Sequence, residues 1–393
     1  MKIVAAITLS IAAFYVSTDI FTPSLPTIAS EFGVSQDIVQ KTITFFLIGS
    51  IFSCLLSGIL ADRYGKKRIL LIGLGIALIG SFFATFSFSI NQLICARILQ
   101  GVGGVTGSVV GLSIVHDFAS EKKSTKLFGT MGIYFAVIPA LAPVFGGFLN
   151  DHWGWRSNFY LLLVFFIFSF LAVLVAIPKD IAISRKSNNI IGWKSYLSML
   201  GSRPFMFVIF LGPLFVSGEW FMISALPFYF QESLAYTPEL YGLFLGSFMP
   251  WYACGSFLGG RYGQKFGLNN LIYVALSLGI MGALILMLTA VYKPFSSFCL
   301  YIGFSLYLFA FGILFPTTTT KTLGFSKDLK ATAGSFRALF SIIFAFLGAG
   351  FAEFADDREL IHLATYFCLF STLALVLFYF RGKEPCETPG TST

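Results

Sequence analysis

The chain alternates between long apolar runs and short clusters rich in charged, Pro, Gly and Asn residues. The runs fall at about 3–28, 39–61, 69–90, 92–114, 127–149, 157–178, 204–230, 238–260, 268–291, 296–317, 331–353 and 360–380. Each is long enough to cross a hydrocarbon core of ~30 Å as a helix, and lipid forces the helix because it cannot satisfy backbone polar groups. The longest polar stretch between runs, 179–203, holds Lys179, Asp180, Arg185, Lys186, Ser187, Asn188, Asn189 and Lys194. The pattern therefore predicts an all-α membrane protein of twelve spans in two halves. Its parts are an N-terminal six-helix bundle over 1–178, a linker over 179–203, a C-terminal six-helix bundle over 204–381 and a tail over 382–393.

Composition agrees with the pattern. Of 393 residues, 56% are hydrophobic and only 11% charged, against about 25% charged in a soluble domain. That excludes a soluble enzyme, a nucleic-acid binder and a disordered protein. The net charge of +8 changes meaning once the spans are placed. With the N-terminus inside, 20 of the 26 basic residues fall in cytoplasmic segments, and the outer loops keep Lys41, Arg156, Lys293 and Arg358. This is a positive-inside bias, and it predicts both termini in the cytoplasm. The opening segment resembles a signal peptide, but it carries Asp19 and lacks a small-residue cleavage site, so it reads as the first span. Five cysteines lie in apolar runs and one in the tail, with no paired spacing, and His116, His152 and His362 are far apart in sequence. No disulfide framework and no metal site is expected.

An internal repeat underlies the two halves. Val16-Ser17-Thr18-Asp19-Ile20-Phe21 is echoed by Val216-Ser217-Gly218-Glu219-Trp220-Phe221, an offset of 200. Arg63-Tyr64-Gly65-Lys66-Lys67 is echoed by Arg261-Tyr262-Gly263-Gln264-Lys265, an offset of 198. Two echoes at nearly one offset, in equivalent spans and loops, point to parallel six-helix repeats, with a substrate cavity between them near the bilayer midplane.

Several motifs then point to a family. Gly58-Ile59-Leu60-Ala61-Asp62-Arg63-Tyr64-Gly65-Lys66-Lys67-Arg68, between spans two and three, closely resembles the signature loop of the major facilitator superfamily. Arg97-Ile98-Leu99-Gln100-Gly101-Val102-Gly103 is similar to the fourth-helix motif of its proton-coupled members. Ile138-Pro139-Ala140-Leu141-Ala142-Pro143-Val144-Phe145-Gly146-Gly147, followed by Gly154-Trp155-Arg156, resembles the fifth-helix antiporter motif and the loop after it. The double-proline form, with Asp19 and the Pro23/Pro26 pair, is similar to Bcr/CflA-type multidrug transporters, drug:H+ antiporters of twelve spans. Departures from that pattern are His116 before Asp117, Arg337 in Ala333-Gly334-Ser335-Phe336-Arg337-Ala338, and Glu219 in span seven.

The resemblance implies a proton-coupled transporter that exports drugs or other amphipathic small molecules by alternating access. The alternative is a dedicated metabolite or siderophore transporter of the same fold, exporter or importer. No cofactor is implied; a proton gradient supplies the energy. The implied partners are a small-molecule substrate, H+ and membrane lipid, with no nucleic acid, for a monomer in a bacterial inner (plasma) membrane. The resemblance makes Gly58, Asp62, Arg63, Gly65, Lys66, Lys67 and Arg68 a gating motif, and Pro139, Pro143, Gly146 and Gly147 an antiporter hinge. Ordinary Gly and Pro usage in membrane helices is the rival for the hinge residues. A polytopic enzyme would need a nucleophile–base pair, a zinc motif or paired catalytic aspartates, and none is present.

Charges inside spans cost at least ~2.5 kcal/mol each on insertion scales, so each needs an account. They are Asp19, Arg97, Glu219 and, near an end, Arg337. Helical rise puts Asp19 roughly 24 Å from the inner end of its span and Arg97 roughly 8 Å from the outer end of its own, similar depths. Asp19 is thus the principal candidate for proton coupling and cation recognition, its protonation following the balance of burial against Arg97. Its alternative is a cap on a helix broken by Pro23 and Pro26. Arg97 reads either as a coupling residue or as a clamp on backbone carbonyls. Glu219 reads as a second coupling acid or as an interhelical hydrogen-bond donor. Phe14, Tyr15, Phe21, Phe215, Trp220 and Phe221 flank the two acids and could line an aromatic pocket for hydrophobic cations. Arg337 lies at the depth of Asp62, either as a latch between halves or as a side chain snorkelling to lipid phosphate.

Overall fold

The computed structural model describes residues 2–118, 121–178, 201, 203–292, 297–324, 330–354 and 360–380, with the side chains of 62, 112, 115–136, 203–204, 264, 297, 323–324 and 330–335 outside that description. The tail 382–393 and all but two residues of the linker 179–203 lie outside the described residues. The elements are α1 (Lys2–Asp19), a 3-10 turn (Thr22–Ser24), α2 (Leu25–Phe32), α3 (Gln36–Tyr64), α4 (Lys66–Thr85), α5 (Ile90–Phe118), α6 (Glu121–Trp153) and α7 (Arg156–Ala176). They continue as α8 (Arg203–Phe228), a π-turn (Tyr229–Ser233), α9 (Pro238–Gly246), α10 (Met249–Phe266), α11 (Leu268–Val291), α12 (Ser297–Gly324), α13 (Lys330–Ala352) and α14 (Leu360–Tyr379). Among the described residues there is no strand. Nine helical stretches among them are long and apolar enough to cross a membrane alone. The other three expected spans, 127–149, 238–260 and 331–353, coincide with α6, with α9 and α10 together, and with α13.

Two spans are broken, and proline accounts for both breaks. Pro23 has no N–H to give the carbonyl of Asp19, and its ring crowds that carbonyl. The Thr22 hydroxyl donates to the freed oxygen instead, at 2.8 Å, and the helix restarts at Leu25 with Pro26 in its first turn. Pro250 stands four residues after Gly246 in the same relation, where α9 ends and α10 begins at Met249.

The described residues form two compact units. The first comprises the described residues within 1–187, 219–250 and 342–363; the second comprises those within 188–218, 251–341 and 364–393. The first unit therefore takes in one end of α8 with α9, and the last part of α13, together with the whole of the predicted N-terminal half. In the first unit, α5 packs against α3 and α4 at glycine distances: a Cβ on Gly101 would lie 2.0 Å from the Phe46 carbonyl oxygen, and one on Gly103 2.3 Å from the Ala77 nitrogen. Helices this close are held by backbone packing, the usual cohesion of membrane bundles. A buried apolar core of Ile7, Ile11, Leu70, Leu74, Ile114, Phe166 and Val173 joins α1, α4, α5 and α7.

In the second unit α10 and α12 approach in the same way, with a Cβ on Gly255 falling 2.2 Å from the Phe309 carbonyl oxygen. The Phe215 ring stacks on Tyr307 with centroids 4.7 Å apart, and the Tyr307 hydroxyl donates to the Phe215 carbonyl at 3.2 Å. Large apolar side chains such as Phe52, Ile59, Phe168, Val175, Phe257 and Leu369 are exposed, as a lipid-facing surface requires.

Candidate functional site

The break after α1 creates the site. Asp19 is the last residue of α1 and is buried. The neighbouring Thr18 hydroxyl donates to the Tyr15 carbonyl at 2.6 Å, and Arg97 acts on Asp19 electrostatically. Glu219, half-buried in α8, is close enough to Asp19 for the two charges to interact. The structure thus brings together Asp19, Arg97 and Glu219. The two acids are the equivalent positions of the internal repeat.

Arg97 does not pair directly with Asp19. It is buried at 1% exposure, and its N–H groups go elsewhere. Nη1 donates to the Ser17 carbonyl at 3.0 Å and to Gln100 Oε1 at 2.7 Å, while Nε donates to the Thr42 carbonyl at 3.4 Å. Gln100 passes the chain on, donating to Ser81 Oγ at 2.9 Å. The guanidinium lies between the rings of Phe21 and Phe46, 4.2 Å from each centroid. One side chain therefore ties α1, α3 and α5 together, and through Gln100 it reaches α4. Its planar fork suits this better than an ammonium would.

The aromatic residues divide. Phe14 stacks on Phe46 at 5.8 Å and meets Tyr15 edge-on at 5.5 Å; both are part-buried. Phe21 is fully buried between Arg97 and Phe159. Phe215 is fully buried on Tyr307, in the interior of the second unit. Phe221 is buried and Trp220 part-buried. Phe14, Phe46, Phe21 and Phe159 thus form a column of rings with the guanidinium inserted in it.

The antiporter motif lies within α6, which runs through Pro139 and Pro143 without interruption. Pro143, Gly146 and Gly147 are buried and Pro139 part-buried. A Cβ on Gly146 would lie 1.7 Å from the Ile20 carbonyl oxygen, and one on Gly147 2.2 Å from that of Pro238. On the facing helix, a Cβ on Gly242 would lie 2.2 Å from the Pro143 carbonyl oxygen. These residues hold α6 against the break beside Asp19 on one side and against α9 on the other.

In the signature loop, Gly65 separates α3 from α4 at φ +98°, a conformation that favours glycine. Gly58 has open space around its Cα. Lys67 Nζ donates to the Leu174 carbonyl at 2.8 Å and also to that of Ile177, capping the end of α7. Lys66 is part-buried; Arg63 and Arg68 are exposed, and Arg63 lies over the Tyr64 ring at 5.2 Å. The side chain of Asp62 lies outside the described residues, and so does the expected Asp62–Arg337 latch. Arg337 lies over the Phe315 ring at 4.4 Å and donates to the Phe315 carbonyl at 3.5 Å, partners on α12 of its own unit.

Three features escaped the sequence reading. Glu31 accepts from Trp155 Nε1 at 2.6 Å and from Arg156, whose other Nη donates to the Ser87 carbonyl at 2.9 Å. This accounts for the Gly154-Trp155-Arg156 motif as a tie between α2, α7 and the α4–α5 turn. Asn158, fully buried, donates to Ser24 Oγ at 2.9 Å. A polar stripe on α3 meets residues of α8, of the π-turn after it and of the turn after α13; its signal was Gln40 and Thr44, polar and four apart in an apolar run.

The family model "Major Facilitator Superfamily" matches residues 7–352. The chain is 26% identical over 380 residues to the "Multidrug transporter MdfA" of Yersinia pestis, covering 94% of this chain and 92% of that one. It is 25% identical over 329 residues to the "Chloramphenicol resistance protein CraA" of Acinetobacter baumannii, covering 82% and 78%. Its fold matches the crystal structure of a D-xylose-proton symporter with a TM-score of 0.78, at 14% identity, over 96% of this chain and 97% of the other. A family model spanning most of the chain, and a shared fold over nearly all of it, establish what it is: an integral, multi-pass membrane transporter, not an enzyme, belonging to the Major Facilitator Superfamily.

Proposed function

We propose that the chain is a proton-coupled exporter of amphipathic, predominantly cationic small molecules, of the Bcr/CflA multidrug type, working by alternating access in a bacterial inner membrane. The observation that carries this reading is the pair of acids, Asp19 at the break after α1 and Glu219 on α8, within electrostatic reach of each other. Arg97 can balance only one of two carboxylates so placed, so in a low-dielectric site both cannot stay charged without a further cation. Either a proton or a cationic substrate meets that need, and the two compete for the same charge. Competition of this kind produces exchange. The names of the curated relatives support the substrate class, since they include a multidrug transporter and a chloramphenicol resistance protein.

In this reading Asp19 is the principal exchanging group and Glu219 the second. Arg97 sets the position of both the α1 break and the Phe21 ring, and it acts on Asp19 through space. Phe14, Tyr15 and Trp220 are the aromatic side chains left partly accessible beside the acids, suited to hydrophobic cations. Both termini are cytoplasmic, so the end of the molecule with the Glu31 cluster is the outer one.

The test is transport in everted vesicles or proteoliposomes with an imposed pH gradient. Asp19→Asn removes substrate-driven proton movement, while binding of neutral amphipathic compounds survives. An Asp19→Asn protein that still exchanged protons for a cationic dye at the wild-type rate would sink the reading.

A further inference from the structure

The stripe on α3 is spaced i, i+4, i+8 and lies on one helical face. Gln36 Nε2 donates to Glu232 Oε2 at 2.8 Å, Gln40 Nε2 to the Ser224 carbonyl at 3.3 Å, and Thr44 Oγ1 to Glu353 Oε1. Two more bonds tie the turn after α1 and α6 to the π-turn after α8 and to α9. Gln231 Nε2 donates to the Pro23 carbonyl at 2.7 Å, and Asp151 accepts from the Glu239 backbone N–H at 2.9 Å. All these residues belong to the first compact unit. Together they form a polar seam at the end assigned to the outside.

Within this seam Glu353 differs from Glu232. The bond to Glu232 is exposed, whereas Glu353 is half-buried in the turn after α13 ends at Ala352, at the last residue of the span 331–353. Lys41 and Asp37, a 3.9 Å pair on α3, are the charged groups among the described residues that act on it. Thr44 also lies two residues from Thr42, whose carbonyl holds Arg97. Movement of α3 at Thr44 therefore moves an anchor of the Asp19 site.

We propose that Glu353 is a further proton-binding residue of the transport cycle, beside Asp19 and Glu219, one that locks the outer end when protonated and releases it on losing its proton to the outside. The inference rests on the reading of the chain as a proton-coupled exporter. The sign follows from linkage. Closing the end withdraws Glu353 from water, which costs less for the neutral acid than for the carboxylate, so the closed arrangement binds the proton more tightly. Acid outside must then favour closure by the same factor. That is the direction an exporter needs, since arrival of an external proton should send the protein back toward the inside. A neutral carboxyl keeps a hydrogen bond with Thr44; a carboxylate freed from it is hydrated.

The test reads the outer end directly. Spin labels on Phe88→Cys and Leu240→Cys, both exposed positions, are introduced into the full chain with its native cysteines replaced, in nanodiscs without substrate. Their separation is followed from mildly acidic to mildly alkaline pH. The wild-type background shifts toward the short separation as pH falls. Glu353→Gln, neutral at every pH, loses that shift and stays at the short separation, Glu353→Asp restores a pH-dependent shift, and Asp19→Asn retains it. A Glu353→Gln protein that responds to pH as the wild type does overturns the proposal, as does a wild type that does not respond. Substrate-driven proton flux, measured separately, judges the exporter reading: its absence beside an intact Glu353-dependent shift fails that reading and leaves the proton lock standing.

Discussion

Replacing Arg97 by lysine separates its charge from its shape. Arg97→Lys keeps a cation beside Asp19, but one ammonium cannot reach the Ser17 and Thr42 carbonyls and Gln100 Oε1 together, as the guanidinium does at 3.0, 3.4 and 2.7 Å. Two of three hydrogen bonds are lost, at about 0.6–1.7 kcal/mol each inside a membrane bundle. The flat contact with the Phe21 and Phe46 rings weakens too, and such contacts are worth about 0.5–2 kcal/mol. The expected loss is about 2–4 kcal/mol at the junction of α1, α3 and α5. Thermal unfolding of the purified protein in detergent, with Arg97→Gln as the uncharged reference, reads it. Lysine should lose most of the stability that glutamine loses, and proton-linked transport should fall with it because the α1 break is no longer held. Wild-type stability in Arg97→Lys, with Arg97→Gln severely destabilised, would show that charge alone matters and refute the clamp.

Two further substitutions follow from close approaches. Gly146→Ala places a methyl 1.7 Å from the Ile20 carbonyl oxygen, so α6 must move off α1 beside Asp19; a lowered melting temperature with slowed transport is expected, measured on the same purified sample. Gly218→Ala drives a methyl to 2.2 Å from the Tyr307 hydroxyl, and the added change Tyr307→Phe should recover part of the lost stability, since it removes the obstructing oxygen at the cost of one bond to Phe215. Non-additivity in that double-mutant cycle is the measurement.

The membrane architecture was legible because lipid permits so few alternatives. An uninterrupted apolar run must be a helix, and the described helices fall where the runs fall. What rise along a helix cannot supply is direction around it. Arg97 and Asp19 were placed at one depth, and the structure brings them within electrostatic reach, yet the guanidinium turns to the carbonyls of Ser17 and Thr42. Phe215 illustrates the same gap: its sequence neighbourhood resembles that of the aromatic residues around Asp19, but its ring faces Tyr307 in the interior of its unit. The break at Asp19 had its signal in Pro23 and Pro26, whereas the division of the eighth span at Ser247 and Phe248 followed from Pro250, whose effect falls four residues upstream. The pairing of Gln40 with α8 and of Thr44 with the turn after α13 depends on long-range register, which no local pattern encodes.

The seam along α3 is wettable. Its bonds run from amides and a hydroxyl to carboxylates and a carbonyl, and every one of these groups is well hydrated when parted. Water therefore replaces each contact as it breaks, and the net loss per bond is only about 0.5–1.5 kcal/mol. A plug of leucine and phenylalanine at the same place would have to expose apolar surface at ~25 cal/mol per Å² before anything compensated. Parting the polar line one bond at a time therefore avoids a single large barrier.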